Sequence, residues 1–156
     1  DQLGFVSRTP EFKKAFDADS KLYDVSSSEG TERLNNLRLE IADNIHAFSS
    51  EYVTDIISAL TLNDTRFIRK YAENAVQTSR YDIFYEEKME GVGMSGHSYS
   101  YWVYDGPVNA RQMEAFADLF AIKVENNPIV LEFVCEHFPN LNREFERIID
   151  CYLKKI

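Results

Sequence analysis

Apolar residues recur along most of this chain at the three-and-four spacing of a helix, and the breaks in that spacing divide it into segments. Residues 9–23 open on Thr9-Pro10-Glu11, an N-cap followed by the residue best suited to a first helical position, and Phe12, Ala15 and Phe16 follow at i, i+3 and i+4. Residues 24–30, Asp-Val-Ser-Ser-Ser-Glu-Gly, read as a loop. From Thr31 to Phe48 the stripe Leu34, Leu37, Ile41, Ile45 and Phe48 marks the strongest helix, expected at the centre of the fold. Ser49-Ser50 interrupts it. Ser50 can cap a second helix over residues 51–60, with Val53, Ile56, Ile57 and Leu60, and Asn63-Asp64 leads into a third, Thr65 to Thr78, with Phe67, Ile68, Tyr71 and Ala75.

The period then changes. Tyr81, Ile83, Phe84 and Tyr85 precede Glu86-Glu87-Lys88, and the glycine-rich Gly91-Val-Gly-Met-Ser-Gly96 leads into His97-Ser-Tyr-Ser-Tyr-Trp-Val-Tyr104. Tyr99, Tyr101 and Val103 alternate with Ser98, Ser100 and Trp102, a strand-like pattern. Asp105-Gly106-Pro107 is a turn. Helical spacing returns over residues 108–125 with Met113, Phe116, Ala117, Phe120 and Val124, over 128–137 after Pro128, and over 141–153 with Phe145, Ile148, Ile149 and Tyr152. The pattern predicts a mainly α, compact helical domain with a small extended or β segment near residues 81–104.

A chain of 156 residues fits one domain, 1–156, and can bury roughly two thirds of its unfolded surface. Its 11 Phe and 9 Tyr supply bulky core material. The formal charge of −9 repels phosphate backbones and anionic lipid, so neither nucleic acid nor membrane is an expected partner. There is no apolar run of the roughly 18 residues that a membrane span needs. Asp1-Gln2-Leu3-Gly4 shows no signal peptide and no initiating Met, which suggests one domain of a longer protein. Cys135 and Cys151 read as reduced, partly buried thiols. There is no phosphate-binding or dinucleotide glycine pattern and no Gly-x-Ser-x-Gly elbow.

The closest approach to a chemical motif is Leu37-Arg38-Leu39-Glu40-Ile41-Ala42-Asp43, with Glu114-Ala115-Phe116-Ala117-Asp118 further on. Many zinc peptidases hold the metal with His-Glu-x-x-His on one helix and a later Glu. Leu39 and Asp43 stand where the histidines would be, and Glu40 where the general base would be. Residues four apart share a helix face, yet Leu39 cannot coordinate anything, and carboxylates without imidazole suit a hard cation better than zinc. No cofactor and no metal are therefore expected. Taken singly, Glu40 fits a solvated charge as well as a vestigial site, and Glu114 fits a partner of Tyr or Arg as well as a ligand. His46 fits a surface position, His97 a turn, and His137 a helix C-terminus, where positive charge is favoured.

Three patches in order resemble the C-terminal region of bacteriophage minor head (head morphogenesis) proteins of Gram-positive-type phages. They are Thr54-Asp55-Ile-Ile-Ser-Ala-Leu60, Gly91-Val-Gly-Met-Ser-Gly-His97-Ser-Tyr-Ser-Tyr101-Trp102, and Met113-Glu114-Ala-Phe-Ala-Asp-Leu-Phe120 with Phe138-Pro139 and Phe145-Glu-Arg-Ile-Ile149. Several such proteins look like small zincin-type peptidase domains. The resemblance implies a degenerate zincin-like scaffold without the metal, and a structural role with other phage head or portal proteins, in the virion or the bacterial host cytoplasm. Its vestigial-site candidates are Glu40, Asp43, His97, Tyr101 and Glu114, and Tyr101 or Trp102 is expected near Glu40. Two alternatives stand beside it. One is a metal-dependent hydrolase with an atypical site, using Glu40 as base and ligands from Asp43, His46, His97 and Glu114. The other is an acidic protein-binding or inhibitor module.

Overall fold

The computed structural model describes residues 6–44, 47–48, 52–62 and 101–154. After a 3-10 turn at Val6–Arg8 come three helices, α1 (Pro10–Leu22), α2 (Ser28–Asp43) and α3 (Tyr52–Thr61). A single π turn, Tyr101–Asp105, precedes α4 (Ala110–Glu125), α5 (Pro128–His137) and α6 (Pro139–Leu153). The chain is mainly helical, and among the described residues no strand is present.

Local chemistry sets most of these boundaries. Thr9 caps α1 by accepting from the Phe12 amide at 3.3 Å, with Pro10 at the first helical position. Asn126 ends α4 in the left-handed region at φ 53°, which Asn tolerates, and Asn127 then accepts from the Ile129 amide to start α5. Pro139 closes α5 and opens α6.

The strongest predicted helix is shifted. Ser27 accepts from the Gly30 amide at 3.0 Å, so α2 begins inside the stretch that reads as a loop, and it ends at Asp43 rather than Phe48. Gly30 is required there for space: a Cβ would lie 2.2 Å from the Asp24 carbonyl oxygen. Leu34, Leu37, Ile41 and Phe48 are all buried as the stripe requires, and Ile45 lies outside the described residues.

The helix at the centre is α4, not α2. It packs most extensively on α3 and touches α1, α5, α6 and both short turns, whereas α2 packs chiefly on α1. Its buried face is Ala110, Ala115, Phe116, Leu119 and Ile122, while Ala117, Phe120 and Val124 face outward. Its apolar residues occupy more than one face, so spacing alone does not fix which one turns inward.

Two runs of aromatic rings fill the core. Phe12, Phe116 and Phe145 join α1, α4 and α6, with centroids 5.4 and 5.1 Å apart. Phe48, Phe133, Phe138 and Tyr23 form the second run. Two polar contacts lock helix ends into this packing. Asp19 of α1, fully buried, accepts from the amides of Asn140 and Leu141 and from the Asn140 side chain, so it caps α6 from across the core. Burial still pushes its carboxyl above the usual range, against the pull of those bonds. Arg111 of α4 lies over the Phe16 ring and donates to the Ala59 and Leu60 carbonyls at the end of α3.

Two further expectations change. Residues 101–105 coil into a π turn closed by the Gly106 amide on the Tyr101 carbonyl at 2.8 Å, so they do not continue an extended segment. The rest of that segment, and the helix expected over 65–78, fall outside the described residues. Cys135 and Cys151 are exposed on α5 and α6, not partly buried, and both are free thiols.

Candidate functional site

The residues singled out from the sequence separate into two polar centres. The first joins the last turns of α2 and α5. Glu40 projects from α2, and its carboxylate lies 2.6 Å from His137 Nε2, the imidazole at the C-terminal end of α5. That ring is held on its other sides. Phe133, one helical turn earlier, packs against it with centroids 4.4 Å apart. The Tyr23 hydroxyl donates to the His137 carbonyl at 2.7 Å and sits 3.4 Å from Nδ1. Glu136 completes the group: one carboxylate oxygen from each of Glu40 and Glu136 and an imidazole nitrogen of His137 lie within 4.8 Å of one another. Burial, with the carboxylates of Asp19, Glu40 and Glu136 nearby, drives the Tyr23 phenol well above its ordinary pKa.

The second centre lies between α3 and α4, roofed by the π turn. The Tyr101 hydroxyl donates to Glu114 at 2.7 Å, and this bond, more than burial, raises the phenol pKa to about 12. The Trp102 indole donates to Ser58 of α3 at 3.1 Å in a buried contact, and the two aromatic rings meet edge to face at 5.1 Å. Asp55 of α3 and Asp118 of α4, each about 8% exposed, share a hydrogen bond between their carboxyl groups. Two carboxylates in hydrogen-bonding contact resist ionising together, so the proton on the pair is held to higher pH than on an ordinary Asp. Burial first, then the charges of Asp55 and Glu114, push Asp118 up to about 8. Its second oxygen, Oδ2, is buried without a hydrogen-bond partner among the described residues.

The structure therefore brings Tyr101 to Glu114 and leaves Glu40 to His137. The tyrosine partner expected for Glu114 is present. The aromatic segment bonds to α3 and α4, so the expected packing of Tyr101 or Trp102 beside Glu40 is replaced by their contacts with Glu114 and Ser58. Asp43, the last residue of α2, is exposed, and Leu39 is half-buried. His46 and His97 lie outside the described residues. Sequence reasoning passed over Asp55 and Asp118. A signal for each was present: Asp55 is the one charged residue in the run Asp-Ile-Ile-Ser-Ala-Leu, and Asp118 follows Glu114 by four positions on one helix face. Compared with protein-family models, curated proteins and solved structures, the chain matches none.

Proposed function

We propose that this chain is a non-catalytic assembly domain of the phage minor head type, built on a degenerate zincin-like scaffold and working beside other head or portal proteins. The observation that supports this most is the partner of Glu40. A general base must reach the water it deprotonates, and a zincin base acts on a metal-bound water whose pKa has fallen to about 7. Glu40 is instead held against His137 at 2.6 Å, where it ties α2 to the end of α5. Beside it, Leu39 offers no ligand atom and Asp43 offers a single exposed carboxylate. Tyr101 similarly occupies Glu114, the residue standing for the third ligand.

The reading is tested by fractionating heads produced in cells where the chain is expressed from its own phage genome. The chain is expected in purified heads or their precursors at a fixed ratio to the portal protein. Recovery only in the free protein fraction, or peptide cleavage that Glu40→Gln abolishes, overturns it.

A further inference from the structure

The α2–α5 centre has a feature that the Glu40–His137 contact does not explain. Glu136 is exposed, yet its carboxylate is turned toward that of Glu40 and lies within 4.8 Å of it. Among the described residues Glu136 has neither an ion-pair nor a hydrogen-bond partner. Like charges at that distance repel, and an exposed Glu side chain is free to swing away. Two acidic oxygens and one imidazole nitrogen converging on a point is the arrangement of a ligand set.

We propose that Glu40, Glu136 and His137 form a binding site for a divalent transition metal of the zinc type, clamping the end of α5 to α2. The chemistry of the donors selects the class. Imidazole favours zinc and its neighbours over calcium or magnesium, and carboxylate oxygens complete a mixed set in which water fills the fourth position. The Glu40–His137 distance needs only a small adjustment, and the exposed Glu136 side chain can turn to close the rest. Ligand atoms around a tetrahedral zinc sit about 3.3 Å apart, given bonds of about 2.0–2.1 Å. The Glu40 carboxylate, now 2.6 Å from Nε2, would back away by less than an ångström.

The proton balance is also met within the site. Metal binding at Nε2 requires the neutral ring with its proton on Nδ1, and Nδ1 faces the Tyr23 oxygen at 3.4 Å. That hydroxyl spends its own proton on the His137 carbonyl, so its lone pairs are available to accept. An oxygen acceptor on the remote nitrogen is the usual way a metal-bound imidazole is oriented. Leu39, Asp43 and Glu114 take no part in this site. The site uses the same Glu40 that carries the assembly reading, and the two stay compatible because a carboxylate bound to metal is no freer to act as a base than one held by His137.

The test is zinc chloride titration of the full chain by calorimetry, in a Cys135→Ser, Cys151→Ser background that removes competing exposed thiols. One zinc per chain is expected, with magnesium chloride giving no heat of binding. Glu136→Gln, at an exposed position where folding is undisturbed, should weaken zinc at least about tenfold, and His137→Gln should weaken it further. Cobalt should give visible absorption bands that both variants lose. No zinc binding, or binding of unchanged affinity in Glu136→Gln, overturns the proposal. Should His137→Gln fail to fold by circular dichroism, Glu136→Gln alone decides.

Discussion

Replacing Asp118 with Asn isolates the buried carboxyl pair. The amide matches the protonated acid in shape, and its NH2 group can donate to Asp55 as the shared proton does. What it removes is titration. In the native chain Asp118 is raised to about 8, whereas an unfolded Asp titrates near 3.9. A folded pKa above the unfolded one means that the folded state holds its proton longer. The associated stability is complete below about pH 4 and is lost as pH rises through about 8. Each unit between those values costs up to about 1.4 kcal/mol, so from pH 6 to pH 8 the native chain should lose about 2 kcal/mol that the variant keeps. The assay is urea unfolding followed by tryptophan fluorescence, at half-unit steps from pH 5 to 9, with Asp118→Asn measured alongside. Trp102 is the single tryptophan and lies beside this centre, bonded to Ser58. The difference in unfolding free energy between the two proteins should slope against the native chain up to about pH 8 and then flatten. A difference that stays level from pH 5 to 8 would refute a protonated Asp118.

Two further substitutions probe how the helices are joined. Asp19→Ala strips three donors at the start of α6 of their acceptor, and thermal unfolding should register a loss of about 1–3 kcal/mol, against well under about 1 kcal/mol for Asp17→Ala on the same helix, which is only half-buried and pairs with Lys13 at the surface. Gly30→Ala should destabilise the fold by about 1–3 kcal/mol although alanine is the better helix former, because its Cβ meets the Asp24 backbone; unchanged or raised stability in denaturant melts would mean that the chain entering α2 yields freely.

Much of the fold was legible where local chemistry and helical spacing agree. The helix starts expected at Thr9-Pro10, Pro128 and Leu141 fall within two residues of those observed at Pro10, Pro128 and Pro139. The beginning of α2 was not legible in this way. Ser-Ser-Ser-Glu-Gly has the composition of a loop, and only the close approach of Asp24 explains a glycine inside the first turn. The inward face of α4 was hidden for a different reason. Phe116 is buried while Phe120, one turn on, is exposed, a choice made by the neighbouring helices. The candidate site divides similarly. Tyr101 and Glu114 are 13 positions apart and the need of a carboxylate for a donor was foreseeable, but Glu40 and His137 are 97 positions apart. Nothing in one-dimensional spacing pairs residues at that range. Asp55 and Asp118, likewise distant, gain their meaning only from burial side by side.

The cap that Asp19 supplies to α6 bears on how the protein is made. Its donors lie 121 and 122 positions later in the chain, and the ring of Phe145 that meets Phe116 arrives on the same helix. While a ribosome is still threading residues 139–148, α1 and α4 have exposed phenylalanine faces and an acidic group with nothing to hold. Contacts of such long separation are slow to form, because loop closure must precede the gain from packing. The emerging chain therefore passes through an interval of adhesive, half-assembled helices that ends when α6 docks, and a synthesis stall just upstream of Pro139 would prolong the stage at which chaperones are most needed.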